Sequence, residues 1–123
     1  MAYLYVILGA AAGAPLRYFI QARLQGAGGS PFPWGTVVVN LSGCLAIGLV
    51  LGLAEQRDFL TREMRLLLAV GFLGGYTTFS AFGWETYALL RDNDLPRAAA
   101  NVLVSIVIGL LGVWLGATLA KAA

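Results

Sequence analysis

Four long apolar stretches, separated by short polar loops, constrain this 123-residue chain more than any other feature. A helix needs about 20 mostly apolar residues to cross the hydrocarbon core of a bilayer. Four stretches meet that requirement, at about residues 3–24, 34–54, 61–90 and 96–119. Charged residues make up only 11% of the chain, whereas a soluble domain carries about 25%. The sequence therefore predicts an all-α integral membrane protein in which residues 1–123 form a single four-helix domain.

The basic residues are shared almost evenly between the two ends of the four spans. An excess of Lys and Arg in the cytoplasmic loops normally sets the orientation of a membrane protein. One end carries Arg57, Arg62, Arg65 and Lys121, and the other carries Arg17, Arg23, Arg91 and Arg97. Two interpretations remain open: the chain inserts both ways and forms an antiparallel dimer, or another feature fixes one orientation. The charges lie in short loops, so no nucleic-acid partner is expected.

Pairs of glycines separated by three residues recur in all four spans. They are Gly9/Gly13, Gly48/Gly52, Gly71/Gly75 and Gly112/Gly116. This spacing allows two helix backbones to approach closely in lipid. It predicts tight helix packing, including a contact between subunits.

Several polar side chains interrupt the apolar stretches, and polar groups within a membrane are functional candidates because burying them in hydrocarbon is costly. Thr36 and Asn40 are four residues apart in the second span and share a helix face. Asn101 and Ser105 have the same spacing in the fourth span. For Asn40 the alternative to a functional role is a hydrogen bond between helices.

The third span contains the segment GFLGGYTTFSAFGWET at residues 71–86. Gly74 and Gly75 each weaken a helix by up to about 1 kcal/mol, and the hydroxyl groups that follow can satisfy freed backbone groups. If the helix breaks here, its free carbonyl oxygens suit a hard cation. The alternative is an unbroken helix in which the glycines allow close packing.

Phe79 and Phe82 lie three residues apart on one face of the same span. Such a pair usually faces lipid or a protein core, but the electropositive edges of the rings can also face an anion. Glu85 is one step further along that face, where its alternative role is an interfacial carboxylate paired with an arginine. Nothing in the sequence resembles a nucleophile–base pair, a metal-ligand cluster or a phosphate-binding loop, so catalysis is not expected.

Three segments together resemble those of the Fluc (CrcB-like) fluoride channels of microbes: GAAAGAPLRYF at 9–19, WGTVVVNLSGC at 34–44 and GFLGGYTTFSAFGWET at 71–86. Their order and spacing match over essentially the whole chain. The resemblance implies an antiparallel, dual-topology homodimer in which the third helix of each subunit breaks near mid-membrane. The two breaks would meet at the dimer centre and hold a structural sodium ion through backbone carbonyls, which correspond here to Gly74 and Thr77.

The resemblance also assigns roles to individual side chains. It implies a fluoride pore with ring edges from Phe79 and Phe82, an amide donor from Asn40 and a polar lining from Thr36, Ser80 and Ser105. Arg17 and Glu85 would belong to the vestibule. The implied function is passive export of fluoride across the plasma (inner) membrane of a prokaryote, which limits fluoride toxicity. The sequence departs from the family pattern at Gly83, Gly109 and Val113, which leaves the course of the polar lining open.

Two other functions are compatible with a short four-span chain. One is a dual-topology, proton-coupled exporter of cationic drugs. Such exporters have an essential acid in the first span, and this chain has none there. The other is a scaffold subunit that transports nothing.

Overall fold

The computed structural model describes residues 1–26, 29–56 and 60–122. The predicted number of spans is confirmed for these residues: four helical stretches are long and apolar enough to cross a membrane. These spans are Ala2–Gln25, Trp34–Gln56, Arg62–Arg91 and Leu95–Ala122. Arg57, which enters the charge count above, lies outside the described residues.

The spans divide into the following helices. They are α1 (Ala2–Gly26), α2 (Trp34–Gln56), α3 (Arg62–Arg65), α4 (Gly74–Tyr76), α5 (Phe79–Arg91), α6 (Leu95–Leu103) and α7 (Gly109–Ala122). Two π-helical segments, Leu66–Leu73 in the third span and Val104–Ile108 in the fourth, connect α3 to α4 and α6 to α7. A π-helix has a wider turn than an α-helix and is often found at functional sites.

The turn between the third and fourth spans follows from local chemistry. Asn93 adopts a positive φ of 58°, a conformation that asparagine tolerates better than most residues. Asp94 then caps α6, because its side chain accepts a hydrogen bond from the Arg97 backbone N–H at 3.3 Å. Pro96 lies in the first turn of α6, where its missing N–H costs nothing.

The first span packs closely on the π-helical half of the third span. A Cβ atom on Gly9 would collide with the carbonyl oxygen of Leu67, and one on Gly13 would collide with that of Phe72. On the facing helix, a Cβ added to Gly71 would lie 3.0 Å from the Cα of Gly9. The two backbones are therefore in direct contact, which only glycine permits here.

The second span packs in the same way on α7. A Cβ on Gly48 would collide with the Val113 carbonyl oxygen, and one on Gly116 would collide with that of Leu45. The predicted close packing is thus present within a single chain. A contact between subunits through these glycines stays a prediction.

The third span loses its helical conformation for two residues. Thr77 (φ −89°, ψ 158°) and Thr78 (φ −148°, ψ 119°) are extended, between the end of α4 at Tyr76 and the start of α5 at Phe79. A small core of Val39, Leu73 and Tyr76 lies beside this interruption. The extended residues are therefore adjacent to this buried core.

Candidate functional site

A groove of about 330 Å³ lies beside the extended pair, between α2, the third span and the start of the fourth-span π segment. Six of the ten site residues predicted from the sequence line it: Asn40, Gly74, Thr77, Phe79, Phe82 and Ser105. Because Gly74 and Phe79 are exposed, the groove opens on the surface of the single chain. The other four predicted residues, Arg17, Thr36, Ser80 and Glu85, lie outside it.

The side chain of Asn40 holds the extended backbone in place. Its Nδ2 donates to the Thr78 carbonyl oxygen at 2.9 Å, and the Thr78 N–H donates to its Oδ1 at 2.8 Å. In a continuous α-helix the Thr78 N–H would instead donate to the carbonyl oxygen of Gly74. The alternative role considered for Asn40, a hydrogen bond between helices, is therefore real. Because the Thr78 N–H donates to Asn40, the Gly74 carbonyl lacks the donor that it would have in a continuous helix.

A second carbonyl loses its donor at the same place. Thr78 caps α5, because its Oγ1 accepts a hydrogen bond from the Ala81 N–H at 3.2 Å. In a continuous helix that N–H would serve the Thr77 carbonyl. Gly74 and Thr77 thus both present carbonyl oxygens whose helical donors bind elsewhere, and both residues line the groove.

The two phenylalanines form the aromatic part of the groove. Their ring centroids are 5.6 Å apart and their planes are inclined by 45°. Phe82 is half-buried, whereas Phe79 is 82% exposed. A large apolar side chain that packs so little within its own chain must face lipid or a partner molecule.

A chain of polar side chains links α1, α2 and α5 outside the groove. Arg17 donates through Nε to the Gly75 carbonyl oxygen at 3.1 Å and through Nη1 to Gln21 Oε1 at 3.5 Å. Gln21 Nε2 donates to Thr36 Oγ1 at 2.9 Å, and Thr36 donates to Glu85 Oε1 at 2.6 Å. The described ranges contain no ion pair that involves Glu85, so its alternative role, pairing with an arginine, is not seen there.

Sequence reasoning did not identify Gln21 as a site residue. The spacing could have identified it, because Gln21 lies four residues after Arg17 and therefore on the same face of α1. Its contact with α2 depends on how the two helices are rotated, which the sequence does not reveal.

Asn101 makes a third set of polar contacts, behind the groove. Its Nδ2 donates to Thr86 Oγ1 at 2.9 Å, and its Oδ1 accepts from Ser105 at 3.3 Å. Thr86 in turn donates to the Phe82 carbonyl oxygen at 2.8 Å. Asn101 is 1% exposed, so it is one of the most deeply buried polar residues described.

The remaining positions contribute less to the groove. Ser80 is exposed, and its Oγ lies 3.4 Å from Thr78 Oγ1. Gly109 is buried, and a Cβ there would lie 3.4 Å from Cys44 Sγ. Val113 packs against Gly48 of α2. Two of the departures from the family pattern, Gly109 and Val113, thus serve helix packing.

A metal ion at this site would be held by uncharged oxygens. Among the residues that the structure describes, no group of three or more His, Cys, Asp and Glu side chains could hold a metal. Uncharged carbonyl oxygens suit alkali and alkaline-earth cations, and the carbonyls of Gly74 and Thr77, which lack their helical donors, fit that requirement.

These features define a class: a small multi-pass membrane protein with a polar and aromatic groove at an interruption of its third span. The family model described as "CrcB-like protein, Camphor Resistance (CrcB)" matches residues 4–117. The chain belongs to this family.

Curated relatives carry a more specific name. A protein of Solibacter usitatus (strain Ellin6076) named "Fluoride-specific ion channel FluC" is 48% identical over 98% of this chain and 99% of the relative. Proteins of the same name from Rhodospirillum rubrum and Geobacter sulfurreducens are 45% and 41% identical. They align with 94% and 90% of this chain, and with 92% and 90% of their own length. The similarity therefore extends over essentially the whole chain.

Proposed function

We propose that this protein is a fluoride-selective ion channel that lets fluoride leave the cell passively. The observation that carries the proposal is the groove, which brings Asn40, Phe79, Phe82 and Ser105 together beside the helix interruption. The relatives named as fluoride-specific channels supply the identity of the ion. No covalent chemistry is involved, so the protein is not an enzyme.

The groove offers fluoride the kind of partners that can replace water. Fluoride is small and strongly hydrated, so a pore must supply hydrogen-bond donors without a buried cation that would trap the ion. Asn40 has two N–H groups, and only one of them is donated to Thr78. The second N–H, the Ser105 hydroxyl and the ring edges of Phe79 and Phe82 form the anion-binding surface. Thr36 and Ser80 extend the polar lining outside the groove.

The polar chain from Arg17 to Glu85 forms the vestibule in this proposal. The Arg17 guanidinium supplies positive charge that raises the local concentration of anions. Glu85 is held by the Thr36 hydroxyl, at the end of this chain of hydrogen bonds. The vestibule thus combines the positive charge of Arg17 with the carboxyl group of Glu85. It contacts the interrupted span through the hydrogen bond from Arg17 to the Gly75 carbonyl.

A second copy of the chain would close the groove. An ion in a groove that is open to lipid would face hydrocarbon on one side, which is prohibitively costly. The exposed Phe79 and Gly74 mark the face that a partner would cover. With basic residues balanced between the two ends, the partner is an identical subunit in antiparallel, dual topology. Single-cysteine variants, each with its cysteine at one end of the spans, test this in intact cells. A thiol reagent that cannot cross the membrane should modify part of the protein from outside, whichever end carries the cysteine.

A structural sodium ion would lie at the centre of that dimer, between the Gly74 and Thr77 carbonyls of the two subunits. Such an ion would supply positive charge that holds the two interrupted helices together. Replacing sodium by N-methylglucamine should weaken dimer association, measured by size-exclusion chromatography in detergent. Unchanged association after prolonged exchange would contradict the site.

The proposed location is the plasma (inner) membrane of a prokaryote, where export limits fluoride toxicity. Expression in a bacterial strain that lacks its own fluoride exporter tests this role. Growth in fluoride-containing medium should be restored by this protein and not by an empty vector. A proton-coupled drug exporter would instead confer drug resistance that disappears in Glu85→Gln, and a scaffold subunit would confer neither phenotype.

A further inference from the structure

We propose that Asn101 is a positioning residue for the ion pathway: it fixes Ser105 and Phe82 relative to each other on the two sides of the groove. The proposal rests on the fluoride-channel function proposed above. Asn101 itself does not line the groove and would not touch the ion.

The burial of Asn101 needs an explanation. Among the described residues it and Val39 are the largest side chains that are less than 2% exposed. A carboxamide in a membrane-embedded bundle is costly unless its donors and acceptor are satisfied. A leucine of nearly the same shape would pack there without that cost. The polar groups of Asn101 therefore serve the partners that they bind.

Those partners form a continuous chain between two groove residues. Ser105 Oγ donates to Asn101 Oδ1, Asn101 Nδ2 donates to Thr86 Oγ1, and Thr86 donates to the Phe82 carbonyl oxygen. Ser105 and Phe82, at the two ends, line the groove, whereas Asn101 and Thr86, in the middle, lie behind it. The chain joins the fourth span to the third at the level of the groove.

The direction of each hydrogen bond explains why an amide is required. The Thr86 hydroxyl proton is donated to Phe82, so its oxygen needs a donor as partner. The Ser105 hydroxyl donates, so it needs an acceptor. An amide carries both groups on one rigid plane, whereas a carboxylate only accepts and an aliphatic side chain does neither.

The contact with Ser105 is the weakest part of the chain. At 3.3 Å it is longer than the 2.7–2.8 Å typical of hydroxyl donors. Ser105 also lies in the π-helical segment Val104–Ile108, whose wider turn displaces side chains from regular helical positions. Asn101 thus holds the Ser105 hydroxyl at the groove while no ion is bound, and the contact is long enough for the single hydroxyl proton to turn from Asn101 Oδ1 to an anion that enters.

The test uses purified protein in liposomes and two nearly isosteric substitutions. Asn101→Leu removes both amide contacts, and Thr86→Val cuts the chain on the third-span side. The readout is the fluoride concentration at which efflux is half-maximal. Loss of folded channels lowers the maximal flux but leaves this concentration unchanged, so a merely structural role would not move it.

We expect each variant to raise the half-maximal fluoride concentration by about tenfold, the size expected for loss of one hydrogen bond. The double variant should show no further shift, because both changes interrupt the same chain. Thr86→Ser, which keeps the hydroxyl, should restore wild-type behaviour. Thr118→Val is the matched control: it removes a threonine hydroxyl that donates only to the Trp114 carbonyl of α7 at 2.8 Å, and it should have no effect.

An unshifted half-maximal concentration in Thr86→Val would overturn the proposal, even if the maximal flux fell. The proposal would also be overturned if the half-maximal concentration of the double variant rose by the product of the two single shifts. If Asn101→Leu does not fold, the comparison of Thr86→Val with Thr86→Ser decides the question. Absence of fluoride flux in the wild-type protein would refute the channel function instead, so the two failures are distinguishable.

Discussion

Asn40 and Thr78 are joined by two reciprocal hydrogen bonds, of 2.9 and 2.8 Å, between the amide of α2 and the backbone of the third span. One side chain thus takes over both the donor and the acceptor role of a helical backbone neighbour. The extended conformation of Thr78 is therefore stabilised from outside its own span, and both residues line the groove.

Replacing Asn40 by leucine should destabilise the protein and reduce conduction. The variant leaves the N–H and the carbonyl of Thr78 without their partners, and an unsatisfied buried group costs about 1–3 kcal/mol. Thermal unfolding in detergent measures the first effect and fluoride efflux the second. Gln56→Leu serves as control, because it makes the same amide-to-leucine change at an exposed position of the same helix. An Asn40→Leu protein as stable as the control would show that the pair does not hold the interruption.

Gly71 and Gly74, three residues apart in the third span, should respond differently to alanine. A Cβ on Gly71 would lie 2.7 Å from the Val6 carbonyl oxygen, whereas one on Gly74 meets only Ala69 O, at 3.9 Å, in the described part of the chain. Gly71→Ala should therefore lower stability by about 1–3 kcal/mol through overpacking. Gly74→Ala should leave the subunit fold intact, since its φ of −63° suits alanine. It should weaken dimer association, because Gly74 lies on the proposed contact face.

These two outcomes are measured by thermal unfolding and by size-exclusion chromatography. Equal unfolding temperatures for Gly71→Ala and the wild type would contradict the packing of α1 on the third span. An unchanged monomer–dimer distribution for Gly74→Ala would contradict the proposed contact face.

Replacing Phe79 or Phe82 by isoleucine should reduce fluoride efflux while the protein remains folded. Phe79 is 82% exposed in the subunit, so its replacement removes little internal packing. Any loss of flux then reports on the ring itself, whose electropositive edge an aliphatic side chain lacks. Wild-type efflux in both variants would exclude the rings from the ion pathway.

The single cysteine provides a chemical probe of the groove. Cys44 lines it and is half-buried. If the groove is the ion pathway, a small methanethiosulfonate reagent should attach there and slow fluoride efflux, and Cys44→Ser should be insensitive. Mass spectrometry establishes the extent of labelling. Fully labelled protein with unchanged efflux would mean that ions take another route.

The sequence predicted the spans well, because transfer of apolar side chains into hydrocarbon depends mainly on local composition. The fourth span, for example, was expected at about 96–119 and runs from Leu95 to Ala122. Pro96 lies in its first turn, a position that proline favours. The glycine pairs predicted that helices pack closely, but not which helices pack together. Their spacing identifies the helix face without side chains and does not identify the neighbouring helix.

The polar contacts were much harder to predict. Asn40 was recognised as a site candidate, yet its pairing with Thr78 depends on the distance between two spans. The π-helical segments left no recognisable signal, because a wider turn is a small backbone rearrangement that tertiary packing selects. The sequence identifies Asn101 only as a polar residue four positions before Ser105, since a lone asparagine in a span does not reveal its partners. Its burial and hydrogen bonds became visible only in the folded chain.

The most direct test of the central claim is efflux from liposomes that contain the purified protein, followed with a fluoride electrode and a chloride electrode in parallel. The account predicts rapid fluoride release, no chloride release, and a marked loss of fluoride release in Asn40→Leu. Equal release of the two anions, or no release of either from folded protein, would contradict it.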